Sequence, residues 1–511
     1  MNGNEITRLG VVGCGAMGQG IAQLAACAGL QVRLHDMRPD AAAQARERIL
    51  AELEKQRDKG RVSDAQLEQA RVGLLPVEEG LQGLAGCQLV VEAIVEALPA
   101  KQALFRQLEV LLGGEAILAS NTSSLSITAI ASACEAPGRV AGLHFFNPVP
   151  RMRLVEVIPG LATDEHVVEH LLALVRRLGH QPVRVQDSPG FLVNHAGRAY
   201  GTEALRILAE GVAAPAEVDA LLRDGAGFPM GPFELMDLVG LDVSVPVMES
   251  IYQQFYEEPR YRPHPLLHQR LAAGYLGRKS GRGFHRYPAV AEPVPQPRAS
   301  GPRMPVWLGL DEGFDAALLR PWLSGMGAEL EQGKRPSADA LCLLAPLGLD
   351  ATEAALHFEL DPTRVVAFDA LAERASHRCL MPTPATGAGC LEAARALFAA
   401  DGGRVTVIRD SAGFVVQRTL AGIVNLACDI AQQGIATPTD IDLAVRLGLG
   451  YPHGPLAWGD RLGPARVLSI LQRLHTLSGD PRYRPSPWLR RRAQLGLSLL
   501  HTGQPPHSGE D

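Results

Sequence analysis

The stretch ITRLGVVGCGAMGQGIAQLAACAGLQVRLHD, residues 6–36, predicts a β-strand, a glycine-rich loop, a helix and a second strand. Gly13, Gly15 and Gly18 form a GxGxxG pattern between the first strand and the helix. The first glycine permits a tight turn, the second lets backbone approach a pyrophosphate, and the third lets the helix pack on the strand. Asp36 ends the second strand, where a carboxylate accepts a hydrogen bond from a ribose 2′-hydroxyl and repels a 2′-phosphate. The stretch therefore predicts a site for NAD.

The choice between NAD and NADP depends on two neighbouring residues of opposite charge. Arg38 follows Asp36 by two positions, and a cation there would tolerate the 2′-phosphate of NADP. Because the acid stands at the end of the strand itself, we predict NAD.

The order of patterns along the chain predicts its domains. Short apolar strands alternate with helices up to residue 186, which is typical of an α/β fold with a doubly wound, Rossmann-type sheet. Helical periodicity follows, then a proline-rich segment, and then both patterns return without a GxGxxG loop. The predicted division is 1–186 for the NAD-binding domain, 187–288 for a helical domain, 289–305 for an extended linker, 306–409 for a degenerate, shortened nucleotide-type domain, 410–500 for a second helical copy, and 501–511 for a tail.

The second half is a degenerate copy of the first. PRYRP occurs at 259–263 and again at 481–485, and DSPGFLVN, ending at Asn194, corresponds to DSAGFVVQ, ending at Gln417. Polar groups that are kept in one copy and changed in the other indicate an enzyme with a single active site. Three polar residues of the first copy are replaced in the second: His144 by Asp369, Glu156 by Met381 and Asn194 by Gln417.

His144 and Glu156 are the candidates for acid–base chemistry. His144 follows a predicted strand in HFFNPVP, and Glu156 lies within the apolar strand MRLVEVI. A buried acid needs a partner, and a carboxylate bound to one imidazole nitrogen makes the other nitrogen more basic. The alternative is a structural histidine and a solvated glutamate on an edge strand. The joint loss of both residues from the second copy favours catalysis.

Other polar residues also have structural explanations. These are a helix cap for one of Thr122, Ser123 and Ser124, a cap for Glu96, a surface position for Lys101, and a solvated helix face for Lys55 and Lys59.

Composition excludes several classes of protein. The 511 residues carry a net charge of −6 without any long Lys/Arg run, which argues against nucleic-acid binding. The eight cysteines show no CxxC pair, so neither a disulfide framework nor a metal site is expected. Without a long apolar run or a basic leader, we expect no membrane association and a cytoplasmic location.

Several strings together resemble the L-3-hydroxyacyl-CoA dehydrogenase family. They are GVVGCGAMGQGIA, VVEAIVE, ASNTSSLSIT, GLHFFNPVPRMRLVEVI, DSPGFLVN, GAGFPMGPFELMDLVGLD and GRKSGRGFHRY, and they follow one another in the family's order between residues 6 and 287. The resemblance implies a Rossmann-type domain followed by a helical domain. It also implies NAD-dependent oxidation of the C3 hydroxyl of an acyl-CoA substrate.

The resemblance assigns roles to individual residues. It implies His144 and Glu156 as the acid–base pair and Ser123 and Asn194 as residues that position the substrate. The other implied contacts are the glycine loop, Asp36, Glu96, Lys101 and Lys279 for NAD, and Lys59, or alternatively Lys55, for CoA.

The two-copy length and the proline-rich linker resemble the members of the family that oxidise 3-hydroxyadipyl-CoA in phenylacetate catabolism. Arg151 and Arg153 then become candidates to bind the distal carboxylate of such a substrate, because guanidinium pairs bidentately with carboxylate. Since single-copy relatives dimerise through the helical domain, the resemblance also implies an intrachain pseudo-dimer of the two helical copies. It leaves a homo-oligomer open.

Three alternatives remain from the sequence alone. The first is a 3-hydroxybutyryl-CoA or general fatty-acid β-oxidation dehydrogenase, and the second is a dehydrogenase of the same fold that acts on a free acid. The third, from a different class, is a non-catalytic NAD-binding structural protein.

Overall fold

The computed structural model describes most of the chain. Most of the linker predicted at 289–305 and of the tail predicted at 501–511 lies outside the described residues. Those residues are 5–78, 80–288, 301–372 and 376–503.

The described chain forms two compact units that cut across the predicted domain order. The first unit comprises Met1–His195 and Gln433–Leu449, and the second comprises Ala196–Gln432 and Gly450–Asp511. A segment of the second helical copy therefore belongs to the same unit as the glycine loop.

A sheet of eight described strands organises the first unit, in the order β3-β2-β1-β4-β5-β6-β7-β8. Neighbouring strands run parallel except for β6 and β7, which are antiparallel. The two edge strands, β3 and β8, are missing from the sequence prediction because each is short and contains a proline. The strands are β1 (Arg8–Val12), β2 (Gln31–His35), β3 (Leu74–Pro76), β4 (Leu89–Glu92), β5 (Ile117–Ser120), β6 (Val140–Phe145), β7 (Leu154–Pro159) and β8 (Gln181–Arg184).

Helices connect the strands as crossovers. Four side chains of the first helix are buried in one core with the apolar side chains of the sheet: Ile21, Ala22, Ala25 and Ala26. Three of these are alanines, and such small side chains allow close helix–sheet packing. The chain reverses its direction of travel across the sheet between β1 and β4, the position where ligands bind in open α/β sheets. The helices are α1 (Ala16–Cys27), α2 (Ala41–Asp58), α3 (Asp64–Gly73), α4 (Leu98–Leu112), α5 (Ile127–Ala131) and α6 (Glu165–Arg177).

The first helical copy follows β8. A π-helix, Leu221–Gly225, continues its third helix. The α-helices are α7 (Val193–Ala196), α8 (Arg198–Ala209), α9 (Pro215–Ala220), α10 (Pro232–Val239), α11 (Leu241–Gln254) and α12 (Leu266–Ala272).

The shortened nucleotide-type region forms a second sheet of five described strands in the order β13-β12-β11-β10-β9, with β11 and β12 antiparallel. The sequence prediction misses β12, because His377 and Arg378 interrupt its apolar pattern. The elements are β9 (Val306–Leu310), α13 (Ala316–Gly325), β10 (Leu341–Ala345), α14 (Ala351–His357), β11 (Val365–Phe368), β12 (His377–Pro382), α15 (Ala388–Phe398) and β13 (Arg404–Val407).

A second set of helices completes the chain and confirms the predicted fold class. They are α16 (Val416–Gln432), α17 (Pro438–Leu449), α18 (Pro455–Leu462), α19 (Pro464–Ser478) and α20 (Pro487–Leu495).

The repeated PRYRP strings form reciprocal contacts within the second unit, where α8 of the first copy packs on α16 of the second. Arg260 of the first string lies 2.5 Å from Asp429 on α16. Arg482 of the second string lies 3.5 Å from Glu203 on α8. Each string therefore contacts a helix of the other copy, α16 for the first string and α8 for the second.

Glu203 is the centre of a buried ionic cluster between the two copies. It lies 2.6 Å from Arg418 and accepts a hydrogen bond from Tyr483. Burial raises the pKa of Glu203, but the charges of Arg418 and Arg482 and the hydrogen bonds outweigh it and leave this pKa below its ordinary value. The carboxylate therefore stabilises the fold at neutral pH, and this contribution is lost as the pH falls through the lowered pKa.

No helix of the described chain is both long enough and apolar enough to cross a lipid bilayer.

Arg418→Ala is expected to lower the free energy of unfolding of the second unit by about 3–5 kcal/mol, because it leaves the buried Glu203 without its main partner. The control is Arg335→Ala, since Arg335 and Glu359 form an exposed ion pair in the same unit and such pairs contribute about 1 kcal/mol or less. Thermal unfolding of both variants measures the difference. Equal shifts in melting temperature would show that the buried pair of Arg418 and Glu203 contributes no more to stability than the exposed pair.

Candidate active site

The glycine loop has the space and the backbone geometry for a dinucleotide. Gly13 has φ +101°, and a Cβ atom there would lie 2.5 Å from the carbonyl oxygen of Ala93. A Cβ atom on Gly18 would lie 1.8 Å from the carbonyl oxygen of Gly13. A Cβ atom on Gly15 would meet nothing within 4 Å, so the loop leaves open space at the start of α1. A helix start with free space above it suits a pyrophosphate.

Asp36 lies beside this loop as an ionised acid. Its carboxylate accepts hydrogen bonds from the backbone N–H of Cys14 at 2.8 Å and from Nε of Arg38 at 3.0 Å. Burial raises the pKa of Asp36, but the hydrogen bonds from Arg38 and Cys14 lower it to about 2. Arg38 is therefore engaged by Asp36 rather than free to meet a 2′-phosphate.

A buried carboxylate, Glu92, lies at the end of β4, next to the glycine loop. It accepts hydrogen bonds from Lys101 at 2.6 Å, from the Ser120 hydroxyl at 2.6 Å and from the backbone N–H of Ile94 at 2.7 Å. Lys101 is 1% exposed, so the alternative of a surface position is wrong. The lysine is buried because Glu92 and Glu96 together neutralise it. In the sequence, Glu92 could have been recognised as the acid that ends the apolar run LVVE.

Glu96 holds the ASNTSS loop. Its carboxylate accepts hydrogen bonds from the Thr122 hydroxyl at 2.6 Å, the Ser124 hydroxyl at 2.8 Å and the backbone N–H of Ser123 at 3.1 Å. Burial raises the pKa of Glu96, and these bonds, with the charge of Lys101, bring it below its ordinary value.

The cap of the following helix is Ser126, whose hydroxyl accepts from Ala129 N–H. The prediction that one of Thr122, Ser123 and Ser124 caps this helix is therefore wrong. Two of the three side chains bind Glu96 instead, and α5 begins later than the sequence suggested.

His144 and Glu156 face each other because β6 and β7 pair as antiparallel neighbours in a register that sets these two residues opposite. Nδ1 of His144 lies 2.6 Å from Oε2 of Glu156. The other carboxylate oxygen accepts the backbone N–H groups of Leu192 and Val193 at 3.1 and 2.8 Å. Glu156 is fully buried and β8 covers the edge of β7, so the alternative of a solvated glutamate on an edge strand is wrong.

Ser123 and Asn194 lie together in this unit. The Asn194 side-chain amide donates to the carbonyl oxygen of Ser123 at 3.5 Å. Asn194 directly follows the two residues whose N–H groups bind Glu156, so one short segment connects the amide with the His144–Glu156 pair.

Two further residues fix this region and were missed by the sequence reading. Asn121 accepts the backbone N–H of Phe145 at 2.9 Å and so joins the ends of β5 and β6. Asp187 accepts from the Ser126 hydroxyl at 2.8 Å and from two backbone N–H groups of α5. In the sequence, Asn121 could have been recognised as the asparagine that follows β5, and Asp187 as the first residue of DSPGF.

The remaining predicted site residues lie at the end of α2, in the turn between β6 and β7, and in the second unit. Lys55 lies in the last turn of α2, which ends at Asp58, and Lys59 is the C-cap of this helix. Lys279 belongs to the second unit, where it pairs with Asp242. Lys55, Lys59, Arg151 and Arg153 are exposed.

The second sheet holds a different arrangement at the corresponding place. Its register sets Met381 opposite Ala367, and Asp369 bonds through its backbone to Cys379, so Asp369 and Met381 are not a facing pair. Gln417 donates to Asp369 at 3.0 Å. Burial raises the pKa of Asp369 to about 6. Asp369, Met381 and Gln417, which replace the polar residues of the first copy, therefore form no imidazole–carboxylate pair with one another.

Family models match most of the chain. The model for the 3-hydroxyacyl-CoA dehydrogenase NAD binding domain matches residues 8–188. The model for the 3-hydroxyacyl-CoA dehydrogenase C-terminal domain matches twice, at residues 190–287 and 413–505.

Individual relatives agree with these matches. The chain is 40% identical over 494 residues to 3-hydroxyadipyl-CoA dehydrogenase of Escherichia coli (strain K12), covering 96% of this chain and 98% of that protein. It is 41% identical over 283 residues to a probable 3-hydroxybutyryl-CoA dehydrogenase of Bacillus subtilis (strain 168), covering 55% of this chain and 98% of that protein.

A solved structure of similar length gives the same result. The crystal structure of 3-hydroxybutyryl-CoA dehydrogenase from Escherichia coli K12 superposes with a TM-score of 0.84 at 38% identity, covering 96% of this chain and 99% of that one. The chain therefore belongs to the 3-hydroxyacyl-CoA dehydrogenase family and carries that family's NAD-binding domain, as the sequence resemblance implied.

Proposed function

We propose that the protein oxidises the C3 hydroxyl of an L-3-hydroxyacyl-CoA to the ketone with NAD as cofactor. The observation that carries this proposal is the buried pair of His144 and Glu156, 2.6 Å apart in the unit that holds the glycine loop. A structural NAD-binding protein would have no need for a buried carboxylate aligned on an imidazole.

His144 is proposed as the base. An ionised Glu156 can only accept, so Nδ1 of His144 carries the hydrogen between them and Nε2 presents a lone pair. Nε2 takes the proton of the substrate hydroxyl, and Glu156 stabilises the imidazolium that results. The two backbone N–H groups on Oε1 fix the carboxylate in the orientation that this step requires.

Ser123 and Asn194 are proposed to bind the C3 oxygen and the thioester carbonyl. Because Glu96 holds the Ser123 backbone and Asn194 reaches the Ser123 carbonyl, Ser123 and Asn194 are positioned before substrate binds.

Bound NAD supplies the hydride acceptor. We propose that Asp36 binds the adenosine ribose, that Glu96 contacts the cofactor and that Lys101 orients Glu96. Lys279 remains a proposed NAD contact, and Lys59 or Lys55 a proposed CoA contact.

The proposed substrate is 3-hydroxyadipyl-CoA, as in phenylacetate catabolism. The two-copy Escherichia coli relative carries that name, while the similar crystal structure is named for 3-hydroxybutyryl-CoA. Arg151 and Arg153 are exposed in the turn between β6 and β7, the strands that hold His144 and Glu156, and no other described residue forms an ion pair with them. We also propose that the packing of α8 on α16 is an intrachain pseudo-dimer of the helical copies.

His144→Gln is expected to lower turnover of acetoacetyl-CoA with NADH by about 10³-fold, because the variant removes the proton donor and acceptor. Binding of NADH, measured by fluorescence titration, should stay unchanged. His166→Gln, on the exposed face of α6, is the matched control and should keep full activity. Wild-type protein inactive on short, long and dicarboxylic thioesters would contradict the proposed function.

Asp36→Ser is expected to weaken NADH binding by about tenfold and to reduce the preference for NADH over NADPH, because it removes a charged acceptor. Arg38→Ala should increase that preference, since it frees the carboxylate and removes the cation. Dissociation constants of both cofactors for both variants provide the measurement. An unchanged ratio in Asp36→Ser would remove Asp36 from cofactor selection.

The double variant Arg151→Ala and Arg153→Ala is expected to lower kcat/KM for 3-hydroxyadipyl-CoA by about tenfold or more, because a charge-assisted hydrogen bond to the distal carboxylate is lost. Activity on 3-hydroxybutyryl-CoA, which has no such group, should not change. Arg184→Ala, which removes an exposed guanidinium paired with Glu165, is the control. Equal losses on both thioesters would contradict a carboxylate-binding role.

A further inference from the structure

A helix of the degenerate half supports the strand that carries Glu156. α17 contacts β7 and β8 within the first compact unit. Just before this helix, the carbonyl oxygen of Ile435 accepts the backbone N–H of Gln186 at 2.9 Å. The segment 433–449 is thus joined to the chain just after β8 at its start and packs on β7 and β8 through α17.

At the end of α17, Gly448 lies against the segment that binds Glu156. A Cβ atom on Gly448 would lie 2.9 and 3.0 Å from the two Cγ atoms of Val193 and 3.1 Å from Leu154. Val193 is the residue whose N–H donates to Glu156 at 2.8 Å. Leu154 lies two positions before Glu156 on β7 and so shares its face of the sheet.

We propose that Gly448 is a positioning residue for Glu156, acting through Val193. Only a residue without a side chain lets α17 hold Val193 this close to β7, with its N–H directed at the carboxylate. The inference rests on the proposed function, because it assigns the degenerate half a role in keeping the catalytic pair aligned.

Rotation of Val193 would not relieve the contact that a larger residue creates. Both Cγ atoms face Gly448. Rotation of the Val193 side chain to another staggered rotamer still leaves a Cγ atom at one of these two positions. Val193 is 2% exposed, so the segment must shift by a few tenths of an ångström, which moves its N–H away from Glu156.

The duplication provides a matched control. LLRDGAGFP and AVRLGLGYP align Gly225 with Gly448, and the two DSxGF strings align Val416 with Val193. A Cβ atom on Gly225 would lie 3.7 Å from Val416, which is an ordinary van der Waals distance. Gly448→Ala therefore strains the segment that binds Glu156. Gly225→Ala leaves the corresponding segment of the second copy unstrained.

Gly448→Ala is expected to lower kcat by about tenfold, because small displacements of catalytic groups reduce the rate strongly. KM for NADH and for the thioester should change less than twofold. Gly225→Ala should keep kcat within twofold of wild type. Adding Val193→Ala to Gly448→Ala should restore kcat to that of Val193→Ala alone, because the clashing Cγ atoms are removed and the N–H remains.

A spectroscopic readout separates positioning from a general loss of structure. The downfield Nδ1 proton resonance of His144, assigned by its absence in His144→Gln, should move in Gly448→Ala and stay in place in Gly225→Ala. Wild-type activity in Gly448→Ala, equal losses in the two glycine variants, or no rescue by Val193→Ala would overturn the inference. Wild-type protein without activity on any 3-hydroxyacyl thioester would instead overturn the proposed function, and this inference with it.

Discussion

The arrangement of the first compact unit depends on keeping one carboxylate, Glu156, buried inside a sheet. Burying an ion is costly unless every oxygen finds a donor. One oxygen binds an imidazole across the antiparallel strand pair, and the other binds two backbone N–H groups of the segment after Phe191. The reversal of strand direction between β6 and β7, the course of the chain after β8 and the packing of α17 all serve these three bonds.

The duplication has not produced two equivalent halves. The helical copies contact each other through the same PRYRP strings, and each string forms an ion pair with α8 or α16 of the other copy. The sheets differ more. The first has a glycine loop and a histidine opposite a glutamate, whereas the second shows Met381 opposite Ala367 and a buried Asp369 bonded to Gln417. The C-terminal-domain model accordingly matches both helical copies, whereas the NAD-binding-domain model matches only residues 8–188.

Much of this could be predicted from the sequence where local pattern determines structure. The GxGxxG loop and the repeated strings depend on neighbours in the chain, and His144 pairs with Glu156 across two strands that follow each other in sequence. What was missed depends on distant partners. Lys101 on α4 is buried because Glu92 at the end of β4 pairs with it, and Ser126 rather than Thr122 caps α5 because Glu96 binds the earlier loop. The short edge strands β3 and β8 carry too few apolar residues to be recognised.

The chain leaves the first compact unit after His195 and returns to it only at Gln433. During synthesis the ribosome must therefore make the whole intervening stretch before the surface of β7 and β8 can be covered. At ordinary elongation rates this delay lasts on the order of tens of seconds. The nascent nucleotide domain must remain soluble with part of its sheet open for that time, so the order of translation is itself a constraint on this duplicated architecture.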